Sequence, residues 1–510
     1  MKSSQIKKGS IISYFTIFLN IILGIIYTPW ILHKVGSSNY GLYTLATSLI
    51  TIFLLDFGMS AAVSRFISNF RAQNNISAIS EFVGLAVKFY AIICCVLSVV
   101  VVIVYFNISS IYSNLTLNEI QTFRIVFIIN AFFLVICFPV NIANGILNAF
   151  EQYVWLKGTE IINKIGTVIV TIVALLLGGG IYALIFINGF FNLVTFIVKL
   201  IIIKHQTPVQ VSLKSNGEVS FRQIISFSVW TTVNTISQQM IFNLIPSVLA
   251  MVTNTLAITL YGFANIIEGY VYTITQAING LFMPSVSRLI VNEEDAKNVL
   301  PLMIKVGRIN QSVVTLLLIG LMTLGKEFVH LWVGDEYSDL YVCILCLSLP
   351  YFVSASQQIA NTSVVVMNKI KYSAIINLIT GLINIGAAYF VAQVFGVIGV
   401  CIVTGIVFLI RTLCMNVVFK KVLNIDIITF FRECHVKMLP GIIVSLVLSY
   451  ILIYLIPLNS SGIRGWCYFG IKALFVALIY FVVMWIMSWN TFEKSLILSL
   501  LRLQKEGEIN

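Results

Sequence analysis

The sequence predicts an all-α integral membrane protein of about 14 transmembrane helices, built as two six-helix lobes that repeat in parallel and are followed by two further helices. Composition is the first observation behind this. Of 510 residues, 59% are hydrophobic and 10% charged, at a mean hydropathy of +1.00, whereas a soluble domain carries about 25% charged residues. Second, apolar runs of about 20 residues, enough for a helix to cross a hydrocarbon core of about 30 Å, follow one another along the chain. Third, Lys and Arg crowd into alternate connections, as they do where cytoplasmic loops hold the positive charge. The net charge of +12 is therefore a topological signal, and no nucleic-acid partner is expected.

The first lobe, residues 1–210, takes spans 1 to 6 at about 11–32, 40–63, 82–106, 122–149, 160–178 and 181–203. The second, residues 211–425, takes spans 7 to 12 at about 223–251, 255–286, 303–325, 340–367, 372–393 and 395–418. Spans 13 and 14 follow at about 438–457 and 466–489, within 426–490. Residues 491–510 form a cytoplasmic tail, in which TFEKSLILSLLRL sets leucines at helical spacing beside Lys494 and Arg502, as in an amphipathic helix on the inner surface. Span 1 is too long for the apolar region of a signal peptide, and no small-residue cleavage site follows it. An even number of spans puts both termini on one side. With that alternation 26 of the 31 Lys and Arg lie at one set of ends and 5 at the other, so both termini are expected in the cytoplasm, and the protein in the cytoplasmic (inner) membrane.

The loops are short, the longest running from about 204 to 222 and from 291 to 302, and they leave no room for a soluble catalytic domain. Nine cysteines sit in apolar runs, Cys343 and Cys346 included, with no paired spacing in a polar loop, so neither a disulfide framework nor a metal site is expected. No phosphate-binding loop, paired-histidine zinc motif or nucleophile elbow occurs. The four histidines, His33, His205, His330 and His435, fall in loops or at span ends. An enzyme is not expected, nor a cofactor; transport would draw on an ion gradient, with H+ or Na+ as the coupling ion, or on the substrate's own gradient.

The chain echoes itself at about 215 to 223 residues. Leu42-Tyr43 with Ala46 recurs as Leu260-Tyr261 with Ala264, Ser64-Arg65-Phe66-Ile67 as Ser287-Arg288-Leu289-Ile290, Ile161-Ile162-Asn163 as Ile375-Ile376-Asn377, and Gly180 as Gly396. Six spans separate each pair, an even number, so the halves are parallel repeats of the kind transporters build from.

Polar groups inside spans must face protein or a wet cavity, so stripes of them locate candidate lining. In span 4, Asn130, Asn141, Asn144 and Asn148 fall within about 60° of one another at 100° per residue. Span 8 carries Tyr261, Asn265, Glu268, Tyr272 and Asn279, span 7 Thr231, Asn234, Thr235 and Gln238, and span 10 Ser354, Gln357, Gln358 and Asn361. Hydrogen bonding between helices is the competing explanation for each amide, at about 0.6 to 2 kcal/mol per contact. Of the 19 acids, Asp56 and Glu268 are the two that lie well inside a span. Lys164 shares a face with Thr167 and Thr171. Lys305, Arg308 and Arg411 lie near cytoplasmic ends, where snorkelling to headgroups competes with a functional role.

One stretch resembles a known family. Val35-Gly36-Ser37-Ser38-Asn39-Tyr40-Gly41-Leu42-Tyr43, followed by Leu55-Asp56-Phe57-Gly58-Met59 and Ser64-Arg65-Phe66, is similar to the polysaccharide exporters and O-antigen flippases (Wzx type) of the multidrug/oligosaccharidyl-lipid/polysaccharide exporter superfamily. Leu260-Tyr261-Gly262-Phe263-Ala264, Met283-Pro284-Ser285-Val286-Ser287 and Val394-Phe395-Gly396-Val397-Ile398-Gly399 match the same pattern. The resemblance spans helices 1 to 12 and implies two lobes that alternate between inward-open and outward-open states. It implies transport of an undecaprenyl-diphosphate-linked oligosaccharide across the bilayer for O-antigen, lipopolysaccharide or capsule synthesis, with a polysaccharide polymerase and a chain-length regulator as partners. Spans 13 and 14 resemble additions that peptidoglycan-precursor flippases carry beside their lipid portal, although the arginines those flippases place in spans 1 and 8 are missing here. The substrate residues so expected are Arg65, Asn141, Asn144, Asn148, Lys164, Gln238, Tyr261, Asn265, Tyr272 and Arg308, with Asp56 and Glu268 for ion coupling. An ion-coupled multidrug exporter of the same superfamily is the alternative.

Overall fold

The protein is described by a computed structural model over residues 2–53, 59–212, 221–291, 299–456 and 462–500. Among these residues every regular element is a helix. Helices α1 (Lys2–Val35), α2 (Ser37–Phe53) and α3 (Met59–Ala72) cover spans 1 and 2, and α4 (Ile76–Ile111) covers span 3. Span 4 is α5 (Leu117–Cys137) with α6 (Val140–Ala149), and spans 5 and 6 are α7 (Tyr153–Leu176) and α8 (Ile181–Gln206). Span 7 is α9 (Phe221–Phe242) and α10 (Ile245–Val252), bent by 42° at their junction. Then come α11 (Thr255–Val291), α12 (Val299–Val333), and α13 (Leu340–Ser348), α14 (Tyr351–Ser354) and α15 (Gln358–Val366), which share span 10. The series ends with α16 (Ile370–Leu423), α17 (Ile427–Phe431), α18 (Leu439–Leu455), α19 (Gly462–Met487) and α20 (Thr491–Leu500).

Ten described helical runs are long and apolar enough to cross a membrane, and the bent α9–α10 pair makes an eleventh. Polarity lowers this number: α11, with Tyr261, Asn265, Glu268 and Tyr272 on it, is not among the ten. So does continuity. The 54 residues of α16 would run about 80 Å at 1.5 Å per residue, far more than one bilayer crossing. Gly396, at φ 58° and ψ −148°, turns the chain there in a conformation that only glycine adopts freely, so α16 holds two helices joined at a kink.

Prolines and caps explain the other breaks. Pro139 has no N–H to give and stands between α5 and α6, so the four asparagines of span 4 lie on two helices and not on one continuous stripe. Asn75 caps α4 by accepting from Ala78 N at 3.0 Å, and Thr116 with Glu119 forms a reciprocal capping box at the start of α5.

Two compact units emerge: residues 1–262 with 377–400, and residues 263–376 with 401–510. The core of the first gathers Val63, Ile67, Phe82, Tyr90, Phe138 and Leu147 from α3 to α6. The second has two cores, one around Met303, Val306, Ile359, Phe419 and Phe430, the other around Ile319, Met438, Val476, Tyr480 and Met484. Within the first unit, the echoed segments around Leu42-Tyr43 and Leu260-Tyr261 pack on each other. A Cβ on Gly41 would stand 2.4 Å from the Thr255 carbonyl oxygen, and Thr259 Oγ1 donates to Ser37 O at 2.8 Å. Small residues let the two backbones approach, as in other helix pairs in lipid.

Candidate functional site

Ionisable groups collect inside both units. In the first, α6, α7 and α8 pack together and bring three charged side chains, Lys157, Glu160 and Lys199, to one junction. Lys157 and Glu160, one turn apart on α7, form a 2.8 Å ion pair. Lys164 follows on the same face, half-buried. From α8 comes Lys199, only 4% exposed, whose Nζ donates to Asn144 Oδ1 on α6 at 2.8 Å and lies within electrostatic reach of Glu160 and Lys157. Asn163 ties α7 to α8 through Asn192 Oδ1 at 3.2 Å and Thr195 Oγ1 at 2.8 Å. At the end of α6, Arg71 donates to Ala149 O at 3.0 Å and lies over the Phe150 ring.

The second unit holds Glu268, 6% exposed on α11. Its carboxylate accepts from the hydroxyl of Tyr351 on α14. Tyr272 on α11 and Arg411 on α16 interact electrostatically with Tyr351, so two phenols, a carboxyl and a guanidinium share one neighbourhood. Amides continue the face: Gln276 donates to Gln358 at 3.2 Å, Asn279 to Thr362 at 3.0 Å, and Gln357 to Asn416 at 2.9 Å. Such a group can hold a proton or a small cation on the carboxylate, or exchange hydrogen bonds with hydroxyls.

The individual expectations fare differently. Asn141, Asn144 and Asn148 share the short helix α6, all partly exposed, while Asn130 stands apart on α5 with its Nδ2 buried. Gln238 and Arg65 are exposed on α9 and α3. Asn234, one turn before Gln238, accepts from Asn377 at 2.7 Å, so part of that stripe is helix-to-helix bonding. Tyr261 is wholly buried and donates to Phe242 O at 3.0 Å. Asn265 Oδ1 is buried without a hydrogen-bond partner among the described residues, and Tyr272 is 45% exposed. Asp56 lies outside the described residues.

Arg308 is a correction. It neither snorkels nor faces an open space: it is 3% exposed and pairs with Glu493 of α20, while also donating to Glu433 O at 2.6 Å and Ser488 O at 2.7 Å. Its guanidinium is fully engaged in fastening the tail. Nor is Glu268 the only described acid withdrawn from water, since Glu81 and Glu493 are 3% and 4% exposed. Lys199 and Lys472 were missed as interior cations because a loop tally places each near a span end. Lys472 is 2% exposed and pairs with Glu327 at 2.9 Å.

A bundle with ten or more membrane-length helices among the described residues, some of its ionisable groups buried, is the architecture of a multi-pass membrane protein. The sequence profile of the family described as polysaccharide biosynthesis protein matches residues 6–291, more than half of the chain, and the chain belongs to that family. No curated protein matches it. Among solved structures, the lipid II flippase MurJ in an inward closed conformation is similar at a TM-score of 0.69 and 17% identity, covering 96% of this chain and 99% of that one. An inward-facing multidrug resistance MATE family transporter of the MOP superfamily is similar at 0.64 and 13% identity, covering 81% and 98%. The Vibrio cholerae MATE transporter VcmN in its bent form follows at 0.56 and 10% identity, covering 85% and 99%. At these identities the likeness establishes the fold.

Proposed function

We propose that the protein is a flippase for lipid-linked oligosaccharides. It moves an undecaprenyl-diphosphate-linked glycan repeat unit from the cytoplasmic to the outer leaflet of the cytoplasmic (inner) membrane by alternating access, and delivers it to the polymerase and chain-length regulator of surface polysaccharide synthesis, O-antigen or capsule. The family match over residues 6–291 carries this reading. Coverage supports it: the flippase fold extends over 96% of the chain and the two MATE folds over 81% and 85%. The chemistry agrees as well, because a glycosyl diphosphate asks for cations beside amides and phenols while its polyprenyl chain stays in lipid.

The second reading is an ion-coupled exporter of organic cations, which the buried Glu268 favours, since a carboxylate can hold a cation. Purified protein in vesicles separates the two. Loaded with a fluorescent prenyl-diphosphate oligosaccharide in the inner leaflet, protein-containing vesicles should expose the glycan to an external lectin faster than empty ones. Uptake of organic cations with no movement of the glycan lipid would replace the flippase reading by the exporter.

A further inference from the structure

Lys199 is the buried cation that neither the family match nor the stripes of polar residues account for. It is 4% exposed, and among the described residues its one hydrogen bond goes to a neutral amide, Asn144 Oδ1 at 2.8 Å. An ammonium offers three donors, and a withdrawn cation whose one carboxylate within electrostatic reach, Glu160, is already paired with Lys157 is costly to maintain, so the position is disproportionate to a simple brace between α6 and α8. The neighbourhood is rich in the same charge. Lys157, Glu160, Lys164, Thr167 and Thr171 fall within about 80° of one another around α7, which sets two further lysines against a single carboxylate. Glu160 is already spoken for by Lys157 at 2.8 Å.

We propose that the junction of α6, α7 and α8 is a binding site for a diphosphate, with Lys199 as its buried ligand and Lys157 and Lys164 completing the cationic face. Asn144 holds the Lys199 ammonium at 2.8 Å. The four-carbon stem lets it swing towards α7 when phosphate oxygens arrive, exchanging a neutral acceptor for charged ones, a stronger bond. This assignment rests on the flippase reading for the source of the ligand, a lipid headgroup, but a free diphosphate presents the same oxygens.

Binding of three probes to the full-length protein in nanodiscs tests the site: undecaprenyl diphosphate, undecaprenol and inorganic pyrophosphate. Wild type should prefer the diphosphate lipid to the alcohol, and Lys199→Met should weaken diphosphate binding by about 10- to 100-fold, the range for one charge-assisted hydrogen bond. Lys199→Arg should keep most of it, and alcohol binding should be the same in all three proteins. If Lys199→Met does not fold, Lys199→Gln, which retains a donor for Asn144 while removing the charge, serves the same comparison. Tighter binding of the lipid than of pyrophosphate assigns the site to a headgroup, and equal binding assigns it to a free anion. Undiminished diphosphate binding in the neutral variants would overturn the site while leaving the flippase reading intact. A wild type that binds diphosphate and alcohol alike would instead remove the substrate class on which both stand.

Discussion

Glu268 shows how far a single residue could be read in advance. Its depth in a span followed from the sequence, but its partner, Tyr351, lies 83 residues on, in a stretch where α13, α14 and α15 interrupt one another and helical periodicity carries no register. The pair makes a sharp stability prediction. Tyr351→Phe leaves a buried carboxylate without its donor, which costs about 1 to 3 kcal/mol. Glu268→Gln alone should cost less, because a neutral amide still accepts from the phenol. The double variant should lose less than the sum of the singles, with a coupling of about 1.5 kcal/mol or more for a hydrogen bond to a charged group. Denaturation midpoints of the four proteins in one detergent would measure it, and strict additivity would show that the contact contributes nothing. Lys199 and Arg308 were misplaced for a related reason: distance from a span end says nothing of what a side chain meets, and Glu493 is 185 residues from Arg308.

At the scale of elements the legible part was larger. Apolar length located the ten helical runs long and apolar enough to cross a membrane, eleven with the bent α9–α10 pair, short of the fourteen expected, and Gly396 marks a break inside α16. What length could not reveal were interruptions within a span, at Pro139 between α5 and α6 and at the α9–α10 bend. The tail has contacts that its sequence does not show. Its leucine spacing suggested a helix lying on lipid, yet α20 is docked by the Arg308–Glu493 pair, by Lys305 over the Phe492 ring at 4.0 Å, and by the neighbouring Trp489, whose Nε1 donates to Ser312 Oγ at 2.9 Å. Removing one member of a buried pair strands the other, at about 3 to 5 kcal/mol. Glu493→Ala should therefore lower the melting temperature clearly and make a protease site placed after Leu500 easier to cut back into α20. Arg308→Met with Glu493→Leu should recover part of that loss but not all, since the carbonyls of Glu433 and Ser488 would lose their donor. A Glu493→Ala protein as stable as wild type would mean that the ion pair does not hold the tail.

For the whole molecule, composition and the alternation of positive charge pointed to a many-span membrane protein, and the family and fold agree with the resemblance carried by the segments around Leu42-Tyr43 and Leu260-Tyr261. The packing of those two segments in the first unit gives a physical reason for the echo: Gly41 and Thr259 stand where two helix backbones nearly touch. Energetics at this scale come down to what drives transport, since no nucleotide-binding motif is present in the sequence. We propose that the intramembrane acids couple it, Glu268 within its cluster of phenols and Arg411, and Asp56 by the family pattern. One pH unit across the membrane is worth about 1.4 kcal/mol per proton, enough for about tenfold accumulation. Flipping in reconstituted vesicles should therefore accelerate when a proton or Na+ gradient is imposed. Glu268→Gln or Asp56→Asn should abolish that acceleration while leaving the slower, gradient-free exchange in place. Equal loss of flipping with and without a gradient would assign these carboxylates to substrate binding or to the fold, and a wild-type rate indifferent to both gradients would remove coupling from either residue.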